Sequence, residues 1–184
     1  VLNDAHRLIE ECMLAANVCA SSFLQREAHP TLYRVHEGPT PERLAGLREF
    51  LGGFGLQVGG GEKPQARDYA EVLAKCKGRP EAQLLQTVML RSLRQAVYSP
   101  NNLGHFGLAY DGYTHFTSPI RRYPDLLVHR AIKAALNGKK YNPGSWTELG
   151  GHCSMTERRA DEATRDVDAW LKCYYMRDRV GESY

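Results

Sequence analysis

Apolar residues recur at the helical period over several stretches of the chain, most of them bounded by start or stop signals. Between Asp4 and Glu27, residues Leu8, Ile9, Cys12, Met13, Ala16, Cys19, Ala20, Phe23 and Leu24 fall on one helical face. Asn3 or Asp4 can cap that helix. His29–Pro30 ends it, because a residue before proline avoids the helical region. Leu32 to Val35 reads as a short strand. Thr40–Pro41 has the cap-then-proline order of a helix start, and that helix runs to about Leu51. The stretch GGFGLQVGGGEKP that follows is by composition the most flexible part of the chain.

Further helices are predicted over Ala66–Cys76 and Pro80–Val97. In the second, Leu84, Leu85, Val88, Met89, Leu93 and Val97 form the stripe expected to be buried. Gly107–Tyr110 and Tyr113–Phe116 are candidate short strands. A helix begins near Tyr123 and stops at Asn137–Gly138. The last helix runs from about Ser145 to Arg179, with Gly150–Gly151 as a candidate break. Its apolar seam is Ala160, Ala163, Val167, Trp170, Leu171 and Tyr174. The fold class is therefore predominantly α with a few short strands. It is either an all-α domain or the helical part of a larger α+β domain.

Composition narrows the class. No apolar run approaches the roughly 18 residues of a membrane span, so no membrane partner is expected. The N-terminal residues lack the order of a secretory signal. Five cysteines with no CxxC pair argue against a disulfide framework or a zinc site. Cys12 and Cys19 lie on the apolar face of the first helix, so they are expected as buried free thiols in a reducing cytoplasm. A net charge of +3 is a weak pull toward polyanions. The basic residues gather at Arg121–Arg122, Lys139–Lys140 and Arg158–Arg159.

Chemistry concentrates between Tyr113 and Arg130, YTHFTSPIRRYPDLLVHR. Tyr113, His115, Phe116 and Tyr123 offer ring faces on which bases stack. Thr117, Ser118 and Pro119 lead into a helix whose N-terminal amides attract phosphate. Arg121 and Arg122 add guanidinium groups able to clamp phosphate oxygens. The residues alone leave a plainer reading open, with the arginines solvated and the aromatics in the core. For His129 the plainer reading is preferred, as a packed side chain on the inward side of its helix.

This block resembles the signature of the RNB exoribonuclease family. GHFGLAY (104–110) fits just before it, and HRLIEECMLAAN (6–17) is similar to the family's first helical element. Residues 81–100 and 153–171 resemble the ribonuclease R branch more than the ribonuclease II branch. The resemblance covers nearly the whole chain. It implies a processive 3′→5′ exoribonuclease that releases nucleoside 5′-monophosphates from single-stranded RNA. It implies that Arg121 is the catalytic arginine on the scissile phosphate. It makes Tyr113, His115, Ser118, Arg122 and Arg130 candidates for RNA contact. On the first helix it adds Glu10, Glu11 and Asn17, with one glutamate expected at the ribose 2′-hydroxyl. On the last helix it adds Arg158 and Arg165 along the phosphate path. Thr164 stands where ribonuclease II carries a glutamate, which puts a role for that glutamate in doubt here.

The family's Mg²⁺ is held by a cluster of four aspartates, and no such cluster is found in this sequence. Asp161, Glu162, Asp166 and Asp168 point in different directions on one helix, and Asp111 and Asp125 are isolated. The chain is therefore expected to be the C-terminal half of an RNB catalytic domain over residues 1–184. The metal-binding half and the cold-shock and S1 domains would lie outside it. Expected partners are single-stranded RNA and the remainder of the same RNB domain. Alone, the chain is expected to be inactive. Two other functions remain: a non-catalytic RNA-binding module, and a helical protein-interaction domain.

Overall fold

The computed structural model describes residues 3–183 and is predominantly α-helical with one small sheet. Helix α1 spans Asp4–Arg26, strand β1 Tyr33–Val35, α2 Pro41–Gly52, α3 Ala66–Cys76 and α4 Ala82–Ser92. Strand β2 (Val97–Ser99), α5 (Tyr123–Leu136) and α6 (Trp146–Met176) complete the order, with 3₁₀ turns at Phe106–Leu108 and Arg177–Arg179. Caps fall where the sequence signals them. Asn3 accepts from the His6 amide, and Thr40 does the same for Arg43.

Helices α2, α3 and α4 form a lobe around Leu44, Leu47, Leu51, Val72, Leu85 and Met89. The glycine-rich stretch after α2 is not loose, because Leu56 and Val58 turn inward and join this core. Helix α4 is shorter than its periodicity predicts. Ser92 bonds back to the Met89 carbonyl and to Tyr69, and the Leu93 backbone turns extended (ψ 156°). Residues beyond it leave the helix so that Val97–Ser99 can pair with β1.

That pairing is antiparallel, with Tyr33 opposite Ser99, Arg34 opposite Tyr98 and Val35 opposite Val97. The sheet lies on α6. The Tyr98 amide donates to Ser154 Oγ at 2.9 Å. A Cβ on Gly150 would sit 2.7 Å from the Tyr98 carbonyl oxygen, so this helical position requires glycine. Gly150–Gly151 therefore marks a close contact and not a break, and α6 runs through it.

The segment Gly104–Tyr110 forms a 3₁₀ turn closed by His105 instead of a strand. Tyr113–Phe116 is an irregular segment whose Tyr113 carbonyl accepts from the Arg34 amide at 2.8 Å. Helix α1 meets α5 only through its C-terminal half, around Ala20, Leu24, Val128 and Ala131. Leu8, Ile9 and Met13 on its other half are exposed. Cys12 and Cys19 are exposed as well, contrary to the expectation of buried thiols, because no described residue covers their side of the helix. Val167, Trp170, Leu171 and Tyr174 of α6 are bare for the same reason.

Candidate functional site

Asn17 ties α1 to the signature segment. It is 3% exposed. Its Oδ1 accepts from the amides of Phe116 (2.9 Å) and Thr117 (3.2 Å), and its Nδ2 donates to the Tyr113 hydroxyl at 2.8 Å. From the other side, the buried Thr114 hydroxyl donates to the Leu32 carbonyl at 2.6 Å. Residues 113–117 are thus held by directional bonds to α1 and to the β1 region. The resemblance makes Asn17 a candidate for RNA contact; its bracing role leaves no signal in a single sequence.

The expected row of open stacking faces is not what the fold builds. Tyr113 is buried, stacked on Tyr110 at 5.9 Å, with His105 and His115 edge-on to it. Phe116 stacks on His129 at 4.2 Å. His129 also bonds the Phe116 carbonyl at 2.9 Å, so it is the packed residue expected. These rings lose water against one another, which is the more favourable use of a ring face in a folded chain. Tyr123 keeps an exposed face. Tyr113 still lines a cavity.

The two adjacent arginines have different fates. Asp125, fully buried, accepts from the Arg122 guanidinium at 2.8 Å and from the Ser118 amide at 2.8 Å. The Ser118 carbonyl in turn accepts from the amides of Arg121 and Arg122. Asp125 is therefore not isolated: it is the carboxylate around which the turn is wound. It also places a negative charge at the start of α5, where the sequence reading expected a phosphate. Arg122 is anchored, whereas Arg121 is exposed and its side chain makes no hydrogen bond or ion pair among the described residues.

Two histidines border this turn in the neutral form. Burial, then the charges of Arg122, Arg34, His105 and Arg121, push His115 down to about 3. Burial and the neighbouring His36 and Arg34 push His105 down to about 4. The Tyr98 phenol is pushed up to about 12 by its burial.

A cavity of about 260 Å³ opens beside the turn, lined by His6, Ile9, Glu10, Met13, Asn17, Tyr113 and Arg122 among others. Of the two glutamates proposed on α1, the cavity is lined by Glu10 and not by Glu11. Arg130 belongs elsewhere, donating to the Tyr141 hydroxyl at 3.3 Å. Arg158 and Arg165 are exposed on α6 without ion pairs among the described residues. No three His, Cys, Asp or Glu side chains gather to hold a metal ion among the described residues, so these residues do not fit a Mg²⁺ site. No described helix is long and apolar enough to cross a membrane.

Residues 2–138 match the model of the RNB domain. The chain is 52% identical to ribonuclease R of Escherichia coli and 53% identical to ribonuclease R of Vibrio cholerae, with 99% of its own length covered in each case. It spans 24% of the length of either relative. Its fold superposes on Mycoplasma genitalium RNase R, solved in complex with ribose-methylated single-stranded RNA, with a TM-score of 0.90 and 26% identity. That match covers 99% of this chain and 30% of the other. The chain belongs to the RNB domain family.

Proposed function

We propose that this chain is the helical half of a 3′→5′ exoribonuclease of the ribonuclease R type, in which Arg121 contacts the scissile phosphate. The observation that carries this reading is the division between the two arginines. Asp125 fixes Arg122 and the turn, leaving Arg121 as an exposed, uncommitted cation on a rigid support. Its backbone is held by the turn, and its guanidinium is free to pair with charge as it builds on a phosphate. Glu10, Tyr113 and Asn17 border the adjoining cavity, where a ribose or phosphate would lie. Ser118 shapes the turn through its backbone, and His115 faces the same turn.

Hydrolysis in this reading uses Mg²⁺ held by aspartates in the remainder of the RNB domain. Support for that remainder comes from the bare apolar residues Leu8, Ile9 and Met13 on α1 and Trp170, Leu171 and Tyr174 on α6. Further support is the coverage of about a quarter of the full-length relatives. Single-stranded RNA is the partner, as in the complex of the Mycoplasma genitalium enzyme. A reducing, cytoplasmic setting fits five free thiols, three of them exposed.

The purified 184-residue chain, given single-stranded RNA and Mg²⁺, is expected to release no nucleoside monophosphates. Metal-dependent release of monophosphates would overturn the division of labour proposed here.

A further inference from the structure

Tyr98 is held more firmly than a core tyrosine needs to be. Its amide bonds Ser154 on α6, and its carbonyl rests against Gly150. Its ring lies under the Arg34 guanidinium at 4.6 Å, and Arg34 is itself paired with Glu157 at 2.6 Å. The hydroxyl of this fixed ring meets His115 Nδ1 at 2.8 Å and has no second partner among the described residues.

The direction of that bond follows from hydrogen bookkeeping. The phenol has one hydrogen to place, and it stays protonated in this environment. If His115 donated, the phenol hydrogen would be left without an acceptor in a residue only 6% exposed. The phenol therefore donates, Nδ1 accepts, and the imidazole proton sits on Nε2. Nε2 makes no hydrogen bond among the described residues and is not buried.

The surroundings oppose a second proton on the ring. Arg34 approaches from β1, His105 from the 3₁₀ segment, and Arg121 and Arg122 from the turn. Tyr113 packs edge-on to the ring. Asp125 on α5 and Glu157 on α6 act on Tyr98 instead, and both are already paired with arginines.

We propose that Tyr98 is a positioning residue that fixes the single proton of His115 on Nε2, so that His115 offers RNA an uncharged donor beside Arg121. This rests on the RNA-facing reading of the turn. A neutral donor suits a site that must release its product: it orients a phosphate or ribose oxygen without adding a further positive charge to Arg121 and Arg122.

The test has two parts that fail separately. In the ¹⁵N-histidine-labelled chain, His115 is expected to show a lone pair on Nδ1 and a proton on Nε2. It should also show no titration between about pH 5 and pH 8. In Tyr98→Phe the ring should stay neutral, since burial and the arginines remain, but Nδ1 and Nε2 should now share the proton. A proton on Nδ1 in the unmodified chain, titration near 6.5, or an unmoved ring in the variant would each overturn the lock.

In the full-length enzyme, Tyr98→Phe should lower kcat with little change in KM, because only part of the His115 population then offers a proton on Nε2. His115→Ala should lose about tenfold in turnover, the worth of one hydrogen bond, and His115→Asn, which keeps a neutral N–H, should recover part of it. A lock seen by NMR with kcat unchanged in Tyr98→Phe would overturn the donor role while leaving the Arg121 reading intact. Equal losses for His115→Ala and His115→Asn would do the same.

Discussion

The α2–α4 lobe and the junction around residues 113–125 are held together by opposite means. The lobe is packed by leucines and their neighbours at helical spacing, on three helices close in sequence. The junction is held by single polar side chains reaching far along the chain. Asn17 bonds residues 96 to 100 positions away, and Thr114 reaches back 82. Apolar packing is non-directional and tolerates small shifts. Hydrogen bonds fix a distance and an angle, and a buried group left without its partner is costly. The molecule therefore uses bulk where it needs stability and direction where it needs an arginine, a histidine and a cavity in register.

Two substitutions separate these roles. Leu85 is completely buried in the lobe, and Leu85→Ala should lower unfolding free energy by about 2–5 kcal/mol in denaturant melts. The ring signals of Tyr113 and His115 should stay where they are. Asn17→Ala should cost less, about 1–3 kcal/mol, because it leaves two backbone amides and one hydroxyl unpartnered. It should nevertheless shift the Tyr113 and His115 signals. If Leu85→Ala moved those signals and Asn17→Ala did not, the contrast between the two regions would be wrong.

The same contrast explains what a single sequence reveals. The lobe was readable because its signal is periodic and local: a cap at Thr40 and the apolar stripes place α2 and α3 within a few residues. The end of α4 was not readable, since Leu93 and Val97 continue the period and only the pairing of Val97–Ser99 with β1 pulls them out. Gly150–Gly151 looked like a break because the close approach of Tyr98 comes from elsewhere in the chain. Cys12, Cys19 and the α6 seam were placed on apolar faces correctly, but a face does not say what covers it.

In the site, the signature block pointed to Arg121 through resemblance. It gave no hint that Asp125 would claim Arg122, or that Tyr98 would claim His115. Both partnerships join ordinary residues whose pairing only the folded chain makes visible. The aromatic expectation went wrong for a related reason: the composition of Tyr113–Phe116 suits base stacking and mutual packing equally well, and here mutual packing takes the faces.

In the proposed function, Arg121 acts on the transition state from a support that Asp125 and Arg122 hold rigid. The most direct measurement is single-turnover kinetics with parallel RNA-binding titrations on the full-length enzyme carrying Arg121→Ala. Turnover should fall by about 10²–10³, the effect of removing one charge-stabilising group, while RNA affinity changes by less than about tenfold. Equal losses in turnover and affinity would make Arg121 a binding residue and contradict the account.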